Sequence, residues 1–192
     1  MLISTAFLVG LAGLTGSWAA ADSSYSDSSI RQIPIDQFDL PTAYGESGVA
    51  SNPSDLEAIR NVLAHYPLAI DGKNFDALDL VFTSNAVTNY SAPLNILTPL
   101  SAIKSGLKAS LAPVTTQHSY GTQVIDVTSS KSALSVTYFI ANHFGIGVHA
   151  GKIATAYGQY QDTLVKQSGK WRISRRNLVY MGPISGDLSI FS

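Results

Sequence analysis

The chain has 192 residues, of which 45% are hydrophobic, and its formal net charge at pH 7 is -1. This size and composition predict one well-filled domain, and the near-neutral charge offers no attraction to a polyanion, so no nucleic-acid partner is expected. The densest basic cluster, formed by Arg172, Arg175 and Arg176, lies in a strand-like segment and is interpreted as a solvated face.

The N-terminal residues 1–21 show the pattern of a secretory signal peptide, with an apolar core at 6–14 and small residues before Asp22. The apolar core is shorter than the roughly 20 apolar residues of a membrane span, so we expect no membrane association after signal cleavage. The sequence therefore predicts a protein that is secreted or resides in the secretory pathway. Asn89 begins an N-x-S triplet and is a candidate glycosylation site that fits this route.

The chain divides into a polar lead-in, one domain and a short tail. Residues 22–52 are rich in Ser, Asp, Gln, Pro and Gly and lack a sustained apolar period, which predicts an extended or partly disordered segment. The domain is predicted over 53–183, and residues 184–192 are interpreted as a C-terminal tail. The chain has no cysteine, so packing alone must hold the domain together.

Three helices are predicted at the start of the domain. The first has Ser54 as its cap signal and ends at Asp71 and Gly72, where the glycine supplies a left-handed cap. Its buried stripe follows the helical period and consists of Leu56, Ile59, Leu63, Tyr66 and Ile70. A second helix follows the cap Asn74 and turns Phe75 inward, and a third is predicted over 99–111.

The remaining segments alternate polar and apolar residues and are rich in β-branched and aromatic side chains, as half-buried strands are. The predicted strands are 86–91, 115–129, 133–144, 152–166 and 171–181. Helices followed by an antiparallel meander define an α+β fold. With a bulge at Gly121 or Gly158, the sheet curves into a cone that packs against the three helices and encloses a pocket.

A histidine near the start of the strand 115–129 is the first candidate for chemistry in that pocket. The residues that share its face, unless Gly121 breaks the register, are His118, Tyr120, Thr122 and Val124. On the next strand, one face carries Phe139, Ala141 and His143. Asp71 directly follows the buried stripe, where an unpaired carboxylate would be costly and an imidazole is its natural partner. One aspartate, one histidine that it orients and a second histidine facing them could transfer protons.

Plainer interpretations of these residues stay open. A strand histidine is often structural, and Asp71 could be a turn residue. His65 lies on the first helix next to the buried stripe and fits the same structural interpretation. His149 and His143 lack the ligand spacing of a zinc site, so no metal and no other cofactor is expected. No G-x-S-x-G motif and no cysteine nucleophile is present.

The segments AIDGKNFDALDLVF, TTQHSYG, ANHF and GKWRISRRN occur in an order that resembles the SnoaL-like family of the nuclear transport factor 2 superfold. The pattern is closest to that of the scytalone dehydratases. The resemblance covers most of residues 55–181 and implies a cone-shaped α+β barrel that assembles into homodimers or homotrimers. It also implies a small-molecule substrate and no cofactor.

The resemblance assigns site residues position by position. Asp71 matches the aspartate that supports a general acid/base histidine, His118 and His143 match the two histidines, and Tyr90 matches a tyrosine that polarises the substrate carbonyl. Two family positions depart: a second tyrosine is Ile70 here, and an asparagine falls near Tyr160. The remaining candidate substrate-binding residues are Tyr66, Phe75 and Tyr160.

These residues predict a dehydratase, isomerase or cyclase that acts on a small apolar carbonyl compound, such as a polyketide-type metabolite. In this hypothesis His143, oriented by Asp71, moves the proton at carbon, His118 serves the oxygen, and Tyr90 stabilises the enolate. A non-catalytic carrier with the same hollow is an alternative. A structural domain whose hollow is filled by Phe139 and Tyr157 is another.

Overall fold

The computed structural model describes residues 34–44 and 52–191. The predicted signal peptide lies outside the described residues, so its cleavage stays a prediction. Within these two ranges, no helix is both long enough and apolar enough to cross a membrane.

The fold is α+β, as predicted. Its α-helices are α1 (Leu40–Ala43), α2 (Pro53–Asp71) and α3 (Leu100–Ser110), and short 3-10 helices span Phe75–Leu80, Gly147–His149 and Leu188–Phe191. Its strands are β1 (Phe82–Asn89), β2 (Ile96–Leu97), β3 (Val114–Ser129), β4 (Ser132–Gly145), β5 (Ile153–Gln167), β6 (Lys170–Tyr180) and β7 (Ser185–Gly186). All five predicted strands are present, whereas the second predicted helix is a 3-10 helix, begun by the predicted cap Asn74.

The strands form one curved sheet in the order β2-β1-β6-β5-β4-β3, with β7 paired to β5. The predicted meander is confirmed from β3 to β6, where every neighbouring pair is antiparallel. Strand β1 differs, because it runs parallel to β6. A helical connection separates β1 from the meander along the chain, which permits this parallel pairing.

Helix α2 ends at Asp71 as predicted, but its N-terminal cap and the conformation of Gly72 differ from the prediction. Its cap is Asn52, whose side chain accepts a hydrogen bond from the Ser54 N–H at 2.9 Å. At the other end Gly72 has φ -77, and the left-handed residue is Lys73 with φ 57. Gly72 is still required, because a Cβ there would lie 2.9 Å from the carbonyl oxygen of Leu68.

The predicted break in strand β3 is present. The register with β4 shifts between Tyr120 and Gln123, so the inward positions change parity at this bulge. Val124 is 40% exposed as a result, and the side of the strand that carries His118 does not continue to it. Gly158 faces this region from β5, where a Cβ would lie 2.6 Å from the Phe139 ring.

The two ends of the described chain pack against the sheet. The backbone N–H and carbonyl of Ile35 exchange hydrogen bonds of 2.7 and 2.8 Å with the Gln161 side chain, where an extended or partly disordered lead-in was predicted. The predicted tail instead pairs through β7 with β5, and its Ile190 is fully buried. Lys152 donates to Ser189 at 2.7 Å and holds the final 3-10 helix.

A buried ion pair crosses the inner face of the sheet and corrects the interpretation of Arg176 as part of a solvated face. Both side chains of the Arg176–Asp162 pair are completely buried. Arg176 donates from Nε and Nη2 to the two carboxylate oxygens, each at 2.8 Å. Burial opposes its charge, but the carboxylate outweighs burial and raises the pKa of Arg176 well above its usual range.

Replacing Asp162→Asn should lower the free energy of unfolding by about 3–5 kcal/mol, because a buried guanidinium would lose its counter-charge. Urea unfolding followed by circular dichroism measures the change. The matched control is Asp79→Asn, whose carboxylate pairs with Lys104 and is 64% exposed. Equal effects of the two substitutions would contradict the stabilising role of the buried pair.

Candidate functional site

Asp71 joins the end of helix α2 to the start of strand β3. Its Oδ1 accepts hydrogen bonds from the Thr116 hydroxyl at 2.8 Å and from His118 Nδ1 at 2.7 Å. Its Oδ2 accepts from the His118 backbone N–H at 2.9 Å. Because a carboxylate only accepts hydrogen bonds, Nδ1 of His118 carries the hydrogen and Nε2 is left as the basic nitrogen.

The carboxylate of Asp71 is held in its ionised form. Burial opposes its charge, but the hydrogen bonds from the His118 ring and backbone, supplemented by Thr116, outweigh burial and lower the pKa of Asp71. The side chain of His118 is 5% exposed and that of Asp71 is 24% exposed. The pair therefore lies at the edge of the hollow, with the imidazole directed inward.

His143 faces His118 but is not bonded to Asp71. The centroids of the two imidazole rings lie 6.3 Å apart, with an interplanar angle of 71°. The β3–β4 register sets Thr116 opposite His143, and His143 Nδ1 donates to the Ala154 carbonyl at 3.3 Å. The expectation that Asp71 orients His143 is thus wrong, and His118 is the oriented ring.

The environment of His143 favours the neutral ring. Burial is the main cause that lowers its pKa, and the neighbouring His118 adds to it, while backbone carbonyls only partly oppose the shift. In the neutral ring Nδ1 carries the hydrogen, so Nε2 is a hydrogen-bond acceptor. The ring of Phe191, from the predicted tail, contacts it edge-on at a centroid distance of 5.2 Å.

Aromatic side chains form the wall beside the histidines. Tyr160 lies at the centre, with the Phe139 ring stacked on it at 4.4 Å and the Tyr66 ring against it edge-on at 5.4 Å. Phe139 and Tyr66 also contact His118, at centroid distances of 6.3 and 6.5 Å. These contacts place an apolar, water-poor surface next to the basic nitrogen.

A chain of hydroxyl groups enters the same wall from strand β1 and helix α2. The Tyr66 hydroxyl donates to that of Tyr90 at 3.1 Å, and both side chains are buried. Burial is the main cause that raises the pKa of Tyr90 well above its usual range. Tyr90 therefore keeps its proton and can donate it in a hydrogen bond to a bound oxygen.

The guanidinium of Arg176 lies between two of these rings. Its Cζ is 4.1 Å from the Tyr66 ring centre and 4.0 Å from that of Tyr160. Stacking of this kind is favourable for a planar cation, and it brings a fixed positive group into the aromatic wall.

The structure brings together most of the predicted site residues. Asp71, His118, His143, Tyr66, Tyr90 and Tyr160 form one connected cluster. Phe75 is buried, but within the described residues no ring contact joins it to the cluster. Phe139 fills part of the hollow as the structural alternative expected, whereas Tyr157 is 44% exposed on the other face of the sheet.

Sequence reasoning missed several residues of this site. Thr116, Tyr120, Asp162 and Phe191 were not assigned a role in it. For Asp162 a signal existed, since it alternates with Tyr160 and Leu164 at inward positions of the same strand and so predicts a charge inside the core.

Two cavities are described outside the histidine pair. One of about 360 Å³ has Tyr120, Phe139, Tyr157 and Gly158 in its lining. Another of about 570 Å³ lies between residues 34–37 and strands β5 and β6, with no residue of the cluster in its lining. Among the described residues, no three His, Cys, Asp or Glu side chains are grouped as metal ligands.

The candidate glycosylation site is separate from the predicted catalytic residues. Asn89 is half-buried at the end of β1, and its side chain accepts a hydrogen bond from the Ser91 N–H at 3.0 Å. Its modification stays a prediction.

Comparison with protein families identifies the chain. The model of the SnoaL-like domain family matches residues 53–177, so the chain belongs to this family. The resemblance in the four sequence segments is thereby confirmed. A comparison with curated proteins finds no significant match.

Solved structures share the fold at low sequence identity. A candidate aromatic ring hydroxylase from Novosphingobium aromaticivorans is 22% identical, covers 74% of this chain and 100% of its own, and has a TM-score of 0.65. A candidate scytalone dehydratase from the same organism is 24% identical over 70% of this chain and 88% of its own, with a TM-score of 0.63. The hexachlorocyclohexane dehydrochlorinase LinA type 2 is 11% identical over 72% of this chain and 93% of its own, also with a TM-score of 0.63.

His143 should titrate below the ordinary histidine value of about 6.5. Because burial disfavours the charged ring, it stays neutral as the pH falls past that value and gains its proton only at lower pH. Two-dimensional NMR of the imidazole protons measures this, and the signal is assigned by its loss in His143→Gln.

Replacing Phe191→Ala should move the His143 titration back towards the ordinary value, because the ring that covers the imidazole is removed. A His143 signal that titrates at the ordinary value in the wild-type protein would contradict the buried environment of this ring.

Proposed function

We propose that the protein is an enzyme that transfers protons without a bound cofactor, acting as a dehydratase, isomerase or cyclase on a small, largely apolar carbonyl compound. A polyketide-type metabolite is the substrate class that fits the aromatic wall best. The observation that carries this proposal is the hydrogen bond from His118 Nδ1 to the ionised Asp71, beside a buried aromatic surface.

In the first step, His118 Nε2 removes a proton from the carbon next to the substrate carbonyl. The electron pair of that C–H bond moves into the carbonyl and forms an enolate. Asp71 stabilises the imidazolium that results. The hydrogen bonds from the Thr116 hydroxyl and the His118 backbone N–H hold the Asp71 carboxylate in the required position. Tyr90 donates a hydrogen bond to the enolate oxygen, as the hydroxyl chain from Tyr66 permits.

In the second step, the proton on His118 is returned. Delivered to a hydroxyl on the next carbon, it allows that group to leave as water, which completes a dehydration. Delivered to a different carbon, it completes an isomerisation. The enolate carbon can instead attack a second carbonyl to close a ring, and the proton on His118 then goes to the alkoxide oxygen that this attack forms. All three outcomes use one base and one enolate, so the same residues serve each of them.

His143 has a different role from the one that its sequence position suggested. As a neutral ring that faces His118 at 6.3 Å, it accepts a hydrogen bond from a substrate hydroxyl and positions that group. This assignment exchanges the two histidine roles of the sequence-based hypothesis, because Asp71 is bonded to His118.

The comparisons support this proposal without deciding the reaction. Two structures that share the fold are named as a candidate scytalone dehydratase and a dehydrochlorinase. Both names describe eliminations, in which a proton and a leaving group are removed from neighbouring atoms of the substrate. Secretion of the protein, predicted from residues 1–21, stays part of the proposal.

Replacing Asp71→Asn should lower turnover of a responsive substrate by on the order of a hundredfold or more. The amide nitrogen cannot face the His118 backbone N–H, so it takes the place of Oδ1 and donates to Nδ1. The ring hydrogen then moves to Nε2, and the base is lost. A panel of hydroxy ketones and polyketide intermediates, followed by ultraviolet absorbance and mass spectrometry, provides the assay.

The variant His118→Gln should show the same loss, and His65→Gln is the matched control because His65 lies on the exposed side of α2, where its Nδ1 contacts only the Asn61 carbonyl of the same helix. Circular dichroism checks that each variant is folded. Full activity of both Asp71→Asn and His118→Gln would contradict the proposed base. Binding of panel compounds without turnover by the wild-type protein would instead favour the non-catalytic carrier.

A further inference from the structure

Two buried hydrogen-bond donors of the aromatic wall have no acceptor among the described residues. They are the hydroxyl of Tyr120 and Nη1 of Arg176. Buried polar groups are nearly always hydrogen-bonded, and each exception calls for a reason. Neither atom takes part in the proton transfer proposed above.

The two donors belong to one cluster. Tyr160 links them, because its ring centre is 4.0 Å from the Arg176 Cζ and 6.2 Å from the Tyr120 ring centre. The ion pair with Asp162 uses Nε and Nη2 of the guanidinium, so Nη1 lies outside that fork. Arg176 therefore has an N–H edge outside the ion pair, beside the ring that Tyr120 contacts.

Tyr120 is in its hydrogen-donating form. Burial is the main cause that raises its pKa, and the positive charge of Arg176 opposes the shift only in part. It lies two residues after His118 on the same face of β3, before the bulge. The Tyr120 side chain therefore lies on the same side of β3 as the His118 ring.

We propose that Tyr120 and Arg176 form a second oxygen-recognising subsite, which binds an electron-rich oxygen of the substrate such as a phenolate or enolate oxygen. This inference rests on the proposed function and narrows its substrate class. Tyr90 enters the hollow from β1 and Tyr120 from β3, at opposite sides of the strand order. One oxygen contacts Tyr90 and another contacts Tyr120, so the substrate carries at least two acceptor oxygens on a small, planar, otherwise apolar frame.

The guanidinium determines the charge that this subsite prefers. Its N–H edge and the Tyr120 hydroxyl both donate. The carboxylates of Asp162 and Asp71 also act on this hydroxyl, but each has a smaller effect there than the positive charge of Arg176. Donors without acceptors favour an oxygen with high electron density, such as a phenolate or the oxygen of an extended enolate.

The probe 4-nitrophenol tests the subsite without any need for turnover. Its phenolate absorbs visible light and its neutral form does not, so the spectrum shows both binding and the charge of the bound form. The wild-type protein should bind the probe as the phenolate. Tyr120→Phe keeps the ring, removes the unpaired hydroxyl, and should weaken binding about tenfold, as loss of a hydrogen bond to a charged group does.

The control is His65→Gln, a substitution on the exposed side of α2 and outside the lining of both described cavities, which should leave binding unchanged. Tyr120→Phe should be at least as stable as the wild type in urea, since the lost hydroxyl has no partner among the described residues. Unchanged binding by Tyr120→Phe, binding of the probe in its neutral form, or no binding by the wild type would each overturn the subsite.

The test of the subsite and the test of the proposed function can fail independently of each other. Asp71→Asn removes the base but leaves both donors of the subsite, so it should still bind the phenolate. A protein that binds the probe through Tyr120 but turns over no member of the panel would retain the subsite and lose the enzymatic proposal. Turnover that depends on Asp71, together with equal probe binding by wild type and Tyr120→Phe, would retain the enzymatic proposal and overturn the subsite.

Discussion

The site depends on one carboxylate at the junction of a helix and a strand. Asp71 is the last residue of α2, and it accepts hydrogen bonds from a hydroxyl, a backbone N–H and an imidazole of β3. These bonds fix the helix end against the strand and, at the same time, fix which nitrogen of His118 carries hydrogen. The packing of the fold and the chemistry of the base are therefore determined by the same contacts.

A second buried interaction supports the site. The Arg176–Asp162 ion pair is completely buried, and its guanidinium lies between two tyrosine rings. Burying both charges is costly, and well-packed apolar residues can replace such a pair without loss of stability. A role in recognition gives a reason for its presence. The pair fixes a guanidinium edge inside an aromatic wall that otherwise offers only hydroxyl donors.

Much of this architecture is predictable from the sequence. Strand alternation identified the β3–β6 meander, and Gly121 marked the position near which the register of β3 shifts. The parity of β3 and β4 also placed His118 and His143 on inward faces, and the end of the helix stripe placed Asp71 beside them. These features depend on local periodicity, which a single sequence displays.

The features that escaped prediction depend on contacts between distant segments. The hydrogen bonds from His118 to Asp71 join β3 to the end of α2, and only this contact shows which histidine Asp71 orients. Arg176 lies on β6 with two other basic residues, a pattern that favours a solvent-facing side chain. Only the pairing of β6 with β5 brings Asp162 opposite it. The packing of Phe191 on His143 likewise joins two segments far apart in the chain.

The central claim is that His118, supported by Asp71, removes a proton from carbon inside this hollow. Hydrogen exchange measures that event directly, whichever product the enzyme forms. An aromatic cyclic ketone such as α-tetralone is incubated with the protein in D₂O, and NMR follows the signal of the hydrogens next to the carbonyl. This signal should disappear faster with the wild-type protein than in buffer alone, and His118→Gln should abolish the acceleration. Exchange at the buffer rate with the folded wild-type protein would contradict the central claim.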